Sequence, residues 1–328
     1  MTATVSEIPV IDISPLLNGG DPNVVAKQIH NACTNHGFFY ISGHGISEEI
    51  QNELEQFSSS FFQLPLEEKM KISMNKGGKA WRGFFPVGDE LTSGKPDQKE
   101  GIYFGSELDS EHPKVKSGIP LHGKNLFPES PAELAKTVLE YINLVTVVGH
   151  AVLRGVALSL KFPPDYFEAT ITKNPFILFR IFHYPPQQTN SDSWGVGEHT
   201  DYGLLTILKQ DAVGGLQVKS RGSWIDAPPI PNTFICNIGD MLDRMTGGLY
   251  RSTPHRVLNK SGRDRYSFPL FFDPDFDSIV KPIYGLPYSN SDFLDRWDKE
   301  DVYNFEGTYG SYLINKVSKV FPQLKTKL

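Results

Sequence analysis

The sequence predicts a mainly β protein with a helical surround, in which a helical N-terminal region is wrapped around a C-terminal β-barrel. Two observations support this fold class. From Phe176 onward, short runs rich in β-branched and aromatic residues are separated by Gly, Pro, Asn and Asp, a pattern typical of all-β sandwiches and barrels. Before that point, apolar residues recur at helical spacing, most clearly between Pro131 and about Leu160. With 328 residues, the chain has room for one large domain or two smaller ones.

The first third of the chain alternates between strands and helices. Residues 8–13 alternate as a short strand. A helix is expected to begin at Pro22, after an aspartate N-cap, and to end at Gly37. An apolar strand follows over residues 38–41. A second helix begins at Ser47, and its apolar residues fall on one face. This part of the chain is therefore predicted to be mixed α/β.

The middle and the end of the chain have different patterns. Residues 73–130 are rich in Gly, Pro and Lys without a clear period, so we expect a long loop region of the kind that is often functional. The long helix that follows has the length of a central helix packed against a sheet. A terminal helix is expected over residues 309–321. The predicted strands of the C-terminal part cover residues 176–184, 204–208, 215–218, 233–238, 255–258 and 266–272.

Composition narrows the function classes. At 39% hydrophobic and 21% charged residues, the chain can bury a sizeable core. The net charge of −6 and the lack of a long basic run argue against a nucleic-acid partner. The two cysteines, Cys33 and Cys236, form no zinc-type cluster, and Cys236 is expected to be a small buried hydrophobe.

The N-terminus and the hydropathy pattern bear on location. Residues 1–10 contain the acidic Glu7 and lack the basic-then-apolar order of a signal peptide. No stretch of the sequence approaches the roughly 20 apolar residues of a membrane span. We therefore expect a cytoplasmic protein without a membrane partner. The oligomeric state is left open, and a monomer fits the composition.

A histidine and an aspartate two residues apart form a candidate metal site. In extended backbone, His199 and Asp201 point to the same side and can reach one point in space. His255 could add a third ligand from a distant strand, giving the two-histidine, one-carboxylate set of non-haem Fe(II) oxygenases. Ordinary interpretations also exist: a packed barrel histidine, a turn aspartate before Gly203 and a surface histidine after Pro254. An HxD pair alone is expected by chance about half the time in a chain with nine histidines.

A basic motif after the third candidate ligand strengthens this hypothesis. Arg265 and Ser267 come ten and twelve residues after His255 and begin an apolar strand on which they share one face. A guanidinium can hold a carboxylate with two parallel hydrogen bonds, and a hydroxyl adds another donor. The alternative, a solvated arginine, suits Arg263 better. The pattern therefore favours a buried anion site.

The order of these motifs resembles the iron(II) and 2-oxoglutarate-dependent dioxygenases of the isopenicillin N synthase-like class. In that family HxD is followed by a histidine about 50 positions on and then by RxS, as here. Further similar segments are Ile8–Asp12, Gly37–Tyr40, Gly43–Gly45, Tyr184–Pro186 and Val213–Val218. The resemblance implies a double-stranded β-helix (jelly-roll) core and an Fe(II) ion on His199, Asp201 and His255. It also implies 2-oxoglutarate as cosubstrate, held by Arg265, Ser267 and Tyr184.

The resemblance also implies a domain organisation and a reaction. Residues 1–130 would be an N-terminal dioxygenase region of mixed α/β structure with a substrate loop. Residues 131–328 would hold the long helix, the catalytic jelly-roll core (about 174–275) and the C-terminal helix. The implied reaction is the oxidation of a small molecule with O2, most simply its hydroxylation, with release of succinate and CO2.

A narrower similarity concerns the substrate. The segment Gly88–Asp97 is similar to a loop of the bacterial ethylene-forming enzyme and of plant homoarginine hydroxylases, which bind arginine-like amino acids. By position, Glu90 and Thr92 would meet a guanidino group, Arg180 would meet a carboxylate, and Tyr202 would lie beside them. The chemistry is sensible, since a guanidinium prefers a carboxylate partner. The alternative for the two acidic residues of this loop is an ordinary solvated position.

Three departures limit this narrower similarity. Many plant relatives have Asn in place of Phe182, so that one polar contact to the cosubstrate is lost or replaced. The ethylene-forming enzyme has Arg in place of Lys319 and lacks the serine present here at Ser267, which makes ethylene formation the less favoured chemistry. Two further alternatives stay open: an oxidase or cyclase of the same family whose RxS motif binds a substrate carboxylate, and a binding protein without catalysis, which the intact triad disfavours. A macromolecule-modifying enzyme is a third.

Overall fold

The computed structural model describes residues 8–92, 94–186, 194–220, 222–286 and 302–322. Two β-sheets enclose a cavity, and helices cover the outer side of the larger sheet. This architecture agrees with the predicted jelly-roll core and helical surround. Residues 1–7, on which part of the signal-peptide expectation rests, lie outside the described residues.

The strands are β1 (Val10–Asp12), β2 (Phe38–Ser42), β3 (Gly83–Phe85), β4 (Leu91–Thr92), β5 (Lys95–Pro96), β6 (Glu100–Gly105), β7 (Phe176–Tyr184), β8 (Val196–His199), β9 (Leu205–Gln210), β10 (Leu216–Ser220), β11 (Ser223–Asp226), β12 (Phe234–Ile238), β13 (His255–Val257) and β14 (Arg265–Asp273). The α-helices are α1 (Ser14–Asn18), α2 (Pro22–Asn35), α3 (Glu48–Phe62), α4 (Leu66–Lys69), α5 (Pro113–Lys116), α6 (Glu133–Ser159), α7 (Tyr166–Thr170), α8 (Asp240–Thr246) and α9 (Tyr309–Val320). Short 3-10 helices span Met70–Ile72, Met74–Lys76 and Gly78–Ala80.

The larger sheet has eight strands in the order β1-β2-β12-β9-β14-β7-β6-β3. Only the β1–β2 pair is parallel among its described pairs. The smaller sheet has four strands in the order β11-β10-β13-β8, and β4 and β5 form a separate hairpin. Strands β7, β9 and β14 of the larger sheet and β8, β10 and β13 of the smaller one line the same cavity of about 450 Å³. The cavity therefore lies between the sheets.

Local sequence signals set the helix starts. The Asp21 side chain accepts a hydrogen bond from the backbone N–H of Asn23 at the start of α2. The Ser47 hydroxyl caps α3 in the same way, accepting from the N–H of Ile50. Both caps agree with the predicted starts. In the C-terminal part, β7 spans the predicted residues 176–184, and the other predicted strands and the terminal helix are present within a few residues of the predicted bounds.

The long helix α6 lies against the outer face of the larger sheet. Its Tyr141 ring contacts Phe179 of β7, and its His150 ring contacts Phe272 of β14. By length and composition alone, this helix could cross a membrane, contrary to the expectation that no stretch approaches that length. However, 56% of its most apolar window is buried inside the protein, because the helix packs on the sheet and on neighbouring helices. Such burial is typical of core helices that pass the same test.

The prediction of a long loop region over residues 73–130 is wrong in part. This stretch contains β3 and β6, and every residue of β6 is buried as an inner strand of the larger sheet. With both faces covered, β6 shows no alternation of polar and apolar residues and so gives no strand signal. The four-residue strand β8, the strand β11 and the helix α8 are also absent from the sequence-based prediction. Cys236 is buried as expected.

Packing between α6 and the larger sheet generates a stability prediction. Phe272 is fully buried, and a Cβ on Gly149 of α6 would come within 2.3 Å of its ring. We expect Phe272→Ala to lower the free energy of unfolding by about 3–5 kcal/mol, since the cavity left behind cannot fully collapse. Chemical denaturation measures this change. The exposed Val147→Ala on the same helix is the control, for which we expect a change within about 0.5 kcal/mol.

Candidate active site

Two histidines lie side by side on neighbouring strands of the smaller sheet. Strands β8 and β13 pair antiparallel with His199 opposite His255, and the two imidazole centres are 4.2 Å apart. Nδ1 of His199 lies 2.9 Å from the carbonyl oxygen of Gly197, and Nδ1 of His255 lies 3.2 Å from that of Thr253. A proton on each Nδ1 can donate to these carbonyls. This tautomer leaves both Nε2 lone pairs available to a metal ion.

The carboxylate of Asp201 completes the group. Its Oδ1 lies 3.9 Å from Nε2 of His199 and 3.8 Å from Nε2 of His255. Its Oδ2 accepts hydrogen bonds from the Thr206 hydroxyl at 2.5 Å and from Nδ2 of Asn237 at 2.7 Å. One oxygen is thus held by the protein while the other faces the imidazoles. The three donor atoms lie within 4.8 Å of one another, and among the described residues this is the group that could hold a metal ion.

The electrostatics of this group suit metal binding. Burial lowers the pKa of His199, and burial together with the neighbouring imidazole lowers the pKa of His255 to about 4. Burial alone would raise the pKa of Asp201, but the two histidines and the hydrogen bonds from Asn237 and Thr206 bring it below its ordinary value. Near neutral pH the group therefore offers two neutral imidazoles and one carboxylate. This donor set fits Fe(II) with positions left open for other ligands.

A buried arginine forms another part of the cavity wall, apart from the metal-ligand group. Arg265 is 0% exposed, its Nε donates to the carbonyl of Gly214 at 2.5 Å, and its Nη2 lies 3.5 Å from Oε1 of Gln210. Gly214 and Gly215 reach this position in a turn with φ of 81° and 100°, which favours glycine. The guanidinium carbon lies 4.7 Å from the centre of the Tyr184 ring. Nη1 of Arg265 is buried without a hydrogen-bond partner among the described residues.

An unpaired, buried guanidinium nitrogen requires an acceptor. Ser267 lies two residues along β14, is buried, and lines the cavity together with Arg265 and Tyr184. A carboxylate placed here would receive the free N–H of Arg265 and have the Ser267 hydroxyl on the same wall. The residues present therefore fit the far carboxylate of 2-oxoglutarate.

The β4–β5 hairpin forms the third part of the cavity wall. Glu90 is 4% exposed, and its Oε1 accepts a hydrogen bond from the Tyr103 hydroxyl at 2.5 Å. Its Oε2 lies 3.0 Å from Nζ of Lys99. The Thr92 hydroxyl donates to Oδ2 of Asp97 at 2.7 Å. Both residues assigned to a guanidino group therefore line the cavity and already have partners within the chain.

Arg180 and Tyr202 lie between this hairpin and the metal-ligand group. The guanidinium carbon of Arg180 is 4.0 Å from the Tyr103 ring centre and 4.7 Å from that of Phe271. Its Nη1 is 3.8 Å from Oε1 of Glu90, a long ion pair, and its Nε has no hydrogen-bond partner among the described residues. Tyr202 lines the cavity directly after Asp201. Helix α9 contributes Leu313, Lys316, Lys319 and Val320 to the same wall.

Two family models match the chain. Residues 8–130 match the non-haem dioxygenase N-terminal region described from morphine synthesis, and residues 175–274 match the 2OG-Fe(II) oxygenase superfamily. Together the matched residues make up more than half of the chain. The chain belongs to the 2OG-Fe(II) oxygenase superfamily. It is an oxidoreductase of a superfamily that uses Fe(II) and 2-oxoglutarate, as the sequence motifs predict.

Named relatives are similar to this oxygenase over most of their length. A probable iron/ascorbate oxidoreductase of Dictyostelium discoideum is 51% identical over 99% of this chain and 98% of its own. A 1-aminocyclopropane-1-carboxylate oxidase of the same organism is 43% identical over 98% of this chain and 97% of its own. A homoarginine-6-hydroxylase of rice is 40% identical over 84% and 88%. The crystal structure of a full-length Neurospora crassa protein in complex with alpha-KG superimposes with a TM-score of 0.79 at 28% identity, covering 96% of this chain and 98% of that one.

The structure brings the sequence-predicted residues of the oxygenase into one cavity, which all ten of them line. These residues are His199, Asp201, His255, Arg265, Ser267, Tyr184, Glu90, Thr92, Arg180 and Tyr202. The alternative of a solvated acidic loop holds for Asp89, which is exposed, and not for the buried Glu90. Ser93 of the same loop lies outside the described residues. Phe182 stands opposite Ser267 in the sheet and lines the same cavity.

Sequence reasoning missed three residues of this site. Thr206 and Asn237 hold the outer oxygen of Asp201, and both are buried polar residues between two apolar neighbours in their strands, a signal that could have identified them. Lys99 is buried beside Glu90, with its ammonium 4.8 Å from the Phe182 ring centre. It comes directly before Glu100 in a polar stretch that resembles a surface segment, so no local signal marks it.

The Asp201 hydrogen bonds generate a prediction on metal affinity. Asn237→Ala removes the donor that holds Oδ2, so that the carboxylate can rotate away from the histidines. We expect the affinity for Fe(II) or Co(II) to fall by about 10–100-fold. Calorimetric titration of the metal-free protein measures the dissociation constant. The exposed Asn31→Ala on α2 is the matched control and should bind metal as wild type does; equal affinity in the two variants would contradict the role of Asn237.

The lowered pKa of His255, about 4, generates a prediction on acid stability. In the unfolded chain this imidazole has an ordinary pKa near 6.5, so between these values the unfolded chain binds a proton that the folded, metal-free protein does not. The folded state therefore loses stability as pH falls. From this residue we expect the free energy of unfolding to drop by about 2 kcal/mol between pH 7 and pH 5. Chemical denaturation at both pH values measures this drop in the free energy of unfolding. The drop should be smaller in His255→Gln, which lacks the imidazole.

Proposed function

We propose that this oxygenase hydroxylates a small molecule that carries a carboxylate, coupled to the conversion of 2-oxoglutarate and O2 to succinate and CO2. The observation that carries the proposal is one cavity that joins the metal-ligand group to the buried, partly unpaired Arg265. In this proposal the metal ligands are His199, Asp201 and His255, and the far carboxylate of 2-oxoglutarate meets Arg265, Ser267 and Tyr184.

The bound iron and 2-oxoglutarate supply the oxidising chemistry, and the protein supplies orientation and a dry cavity. The backbone carbonyls of Gly197 and Thr253 keep the imidazoles in the tautomer that presents Nε2. Asn237 and Thr206 direct one oxygen of Asp201 toward them. Apolar residues from both sheets line the cavity that holds the metal-ligand group and Arg265, and they limit its contact with water. They include Leu208, Leu216, Val257 and Pro269.

The substrate carboxylate is assigned to Arg180. Its guanidinium is held between two aromatic rings and faces the cavity, with only a long ion pair to Glu90 among the described residues. The rice relative named homoarginine-6-hydroxylase supports an arginine-like amino acid as one candidate substrate. The net charge of −6 supports free small molecules over nucleic acids as partners, and we include a cytoplasmic location, inferred from the sequence, in the proposal.

A second candidate is an oxidase of the same superfamily in which Arg265 binds the primary substrate instead of 2-oxoglutarate. The relative named 1-aminocyclopropane-1-carboxylate oxidase favours it. The two candidates differ in what Arg265→Gln changes: the KM for 2-oxoglutarate in the proposed hydroxylase, and the KM for the primary substrate in the oxidase.

The test of the proposed function is succinate release. Protein with Fe(II), 2-oxoglutarate and O2 is incubated with a panel of carboxylates that includes arginine, homoarginine and neutral amino acids. We expect at least one compound to raise succinate release, and His199→Ala to abolish it because one of three metal ligands is lost. His112→Ala, outside the cavity, is the control. Substrate oxidation without any need for 2-oxoglutarate would favour the oxidase, and full activity of His199→Ala would remove this residue from the metal site.

A further inference from the structure

Lys99 lies beside the carboxylates of Glu90 and Asp97. It lies directly before β6, is 2% exposed, and lines the cavity wall. Its ammonium lies 3.0 Å from Oε2 of Glu90 and 2.5 Å from Oδ2 of Asp97. The backbone N–H of Asp97 also donates to the carbonyl of Glu90 at 3.0 Å, which closes the β4–β5 hairpin around the two carboxylates. One lysine therefore joins both acidic groups of the hairpin.

The two carboxylates at this side of the cavity already have a cation within the chain. Glu90 and Asp97 are both buried and lie 3.0 Å and 2.5 Å from the Lys99 ammonium, whereas Arg180 makes only a long ion pair with Glu90 and is assigned above to the substrate carboxylate. A buried charge is tolerated when it has a partner and is costly when its partner is taken away. A cationic group of a substrate would therefore compete with an ammonium that the protein itself supplies. To reach Glu90 it would have to displace the Lys99 ammonium, which has no other carboxylate within salt-bridge distance among the described residues.

The same geometry makes the carboxylate pair suitable for binding a cation. Glu90, Thr92 and Lys99 line the cavity; the buried Asp97 accepts a hydrogen bond from the Thr92 hydroxyl and contacts the Lys99 ammonium, and the Tyr103 hydroxyl donates to Glu90. Such a cluster would bind an ammonium or guanidinium from a ligand if the protein did not fill it. Here the occupant is a side chain of the protein.

We propose that Lys99 is a specificity-determining residue whose ammonium fills the cation subsite of Glu90 and Asp97. The enzyme then selects a substrate that carries a carboxylate but no guanidino or amino group at its far end. This inference rests on the proposed function, because it takes the cavity to be the substrate site. It also separates this oxygenase from an arginine-like specificity that the hairpin motif alone would indicate.

The experiment compares two ligands of nearly the same shape. L-Homoarginine ends in a cationic guanidino group and L-homocitrulline in a neutral urea, so their difference in affinity isolates the charge. Binding to protein loaded with Fe(II) and 2-oxoglutarate without O2 is measured by calorimetry. Wild type should bind homoarginine no more tightly than homocitrulline. In Lys99→Ala the opened carboxylates should shift this preference toward homoarginine by roughly tenfold or more.

Two further variants test whether a changed preference is due to the Lys99 ammonium itself. Lys95→Ala removes an exposed lysine from the same hairpin and should keep the wild-type preference. Lys99→Ala combined with Asp97→Asn removes one charge of each sign, which guards against unfolding by two unpaired carboxylates. The double variant leaves the Glu90 carboxylate without the Lys99 ammonium, so its affinity for homoarginine should also rise. Thermal unfolding confirms that each variant is folded.

Each outcome decides the inference. A gain of homoarginine preference in both Lys99 variants supports it. A wild-type preference for homoarginine over homocitrulline would overturn it, and so would folded variants that bind homoarginine no better than wild type does. Because binding is measured without turnover, failure of the proposed function is seen separately, as the absence of succinate release with every panel compound.

Discussion

The antiparallel pairing of β8 with β13 is the constraint on which the metal-ligand group depends. Its register sets His199 directly opposite His255, and the chain then turns so that Asp201 meets both imidazoles. Hydrogen bonds from β9 and β12 of the other sheet hold the outer oxygen of that carboxylate. The group is therefore built from both sheets, and its geometry requires the sheets to be packed correctly against each other. Helix α6 supports that packing from outside the larger sheet.

Buried charge organises the rest of the cavity. Charged side chains such as Arg180, Lys99, Glu90 and Asp97 have counter-charges within the chain. Arg265 differs, because its fully buried guanidinium uses a backbone carbonyl and a side-chain amide and leaves Nη1 without an acceptor among the described residues. This asymmetry distinguishes a guanidinium with an unused donor from two carboxylates that already have a cation, Lys99. It is the physical basis of our proposals that the cosubstrate binds at Arg265 and that the substrate has no cationic end group.

The sequence was most informative where short-range periodicity coincides with chemistry. His199 with Asp201, and Arg265 with Ser267, are pairs at i and i+2 in extended backbone, so their shared direction follows from local geometry. The caps at Asp21 and Ser47 are equally local. It was least informative over residues 73–130, where β6 is buried on both faces and carries no alternation. Lys99 lay beyond sequence reasoning because its neighbours in the chain are polar whether or not it is buried.

By itself, then, the sequence determined the superfamily, the candidate metal ligands, the candidate anion-binding arginine and the order of most elements, since each depends on residues close together in the chain or on motifs in a fixed order. Only the tertiary structure decided which oxygen of Asp201 is free, which nitrogen of Arg265 lacks a partner, and which cation neutralises Glu90. These properties depend on side chains brought together by sheet packing and by the closure of a hairpin. No pattern of neighbouring residues specifies such contacts, because burial and pairing are set by the whole fold.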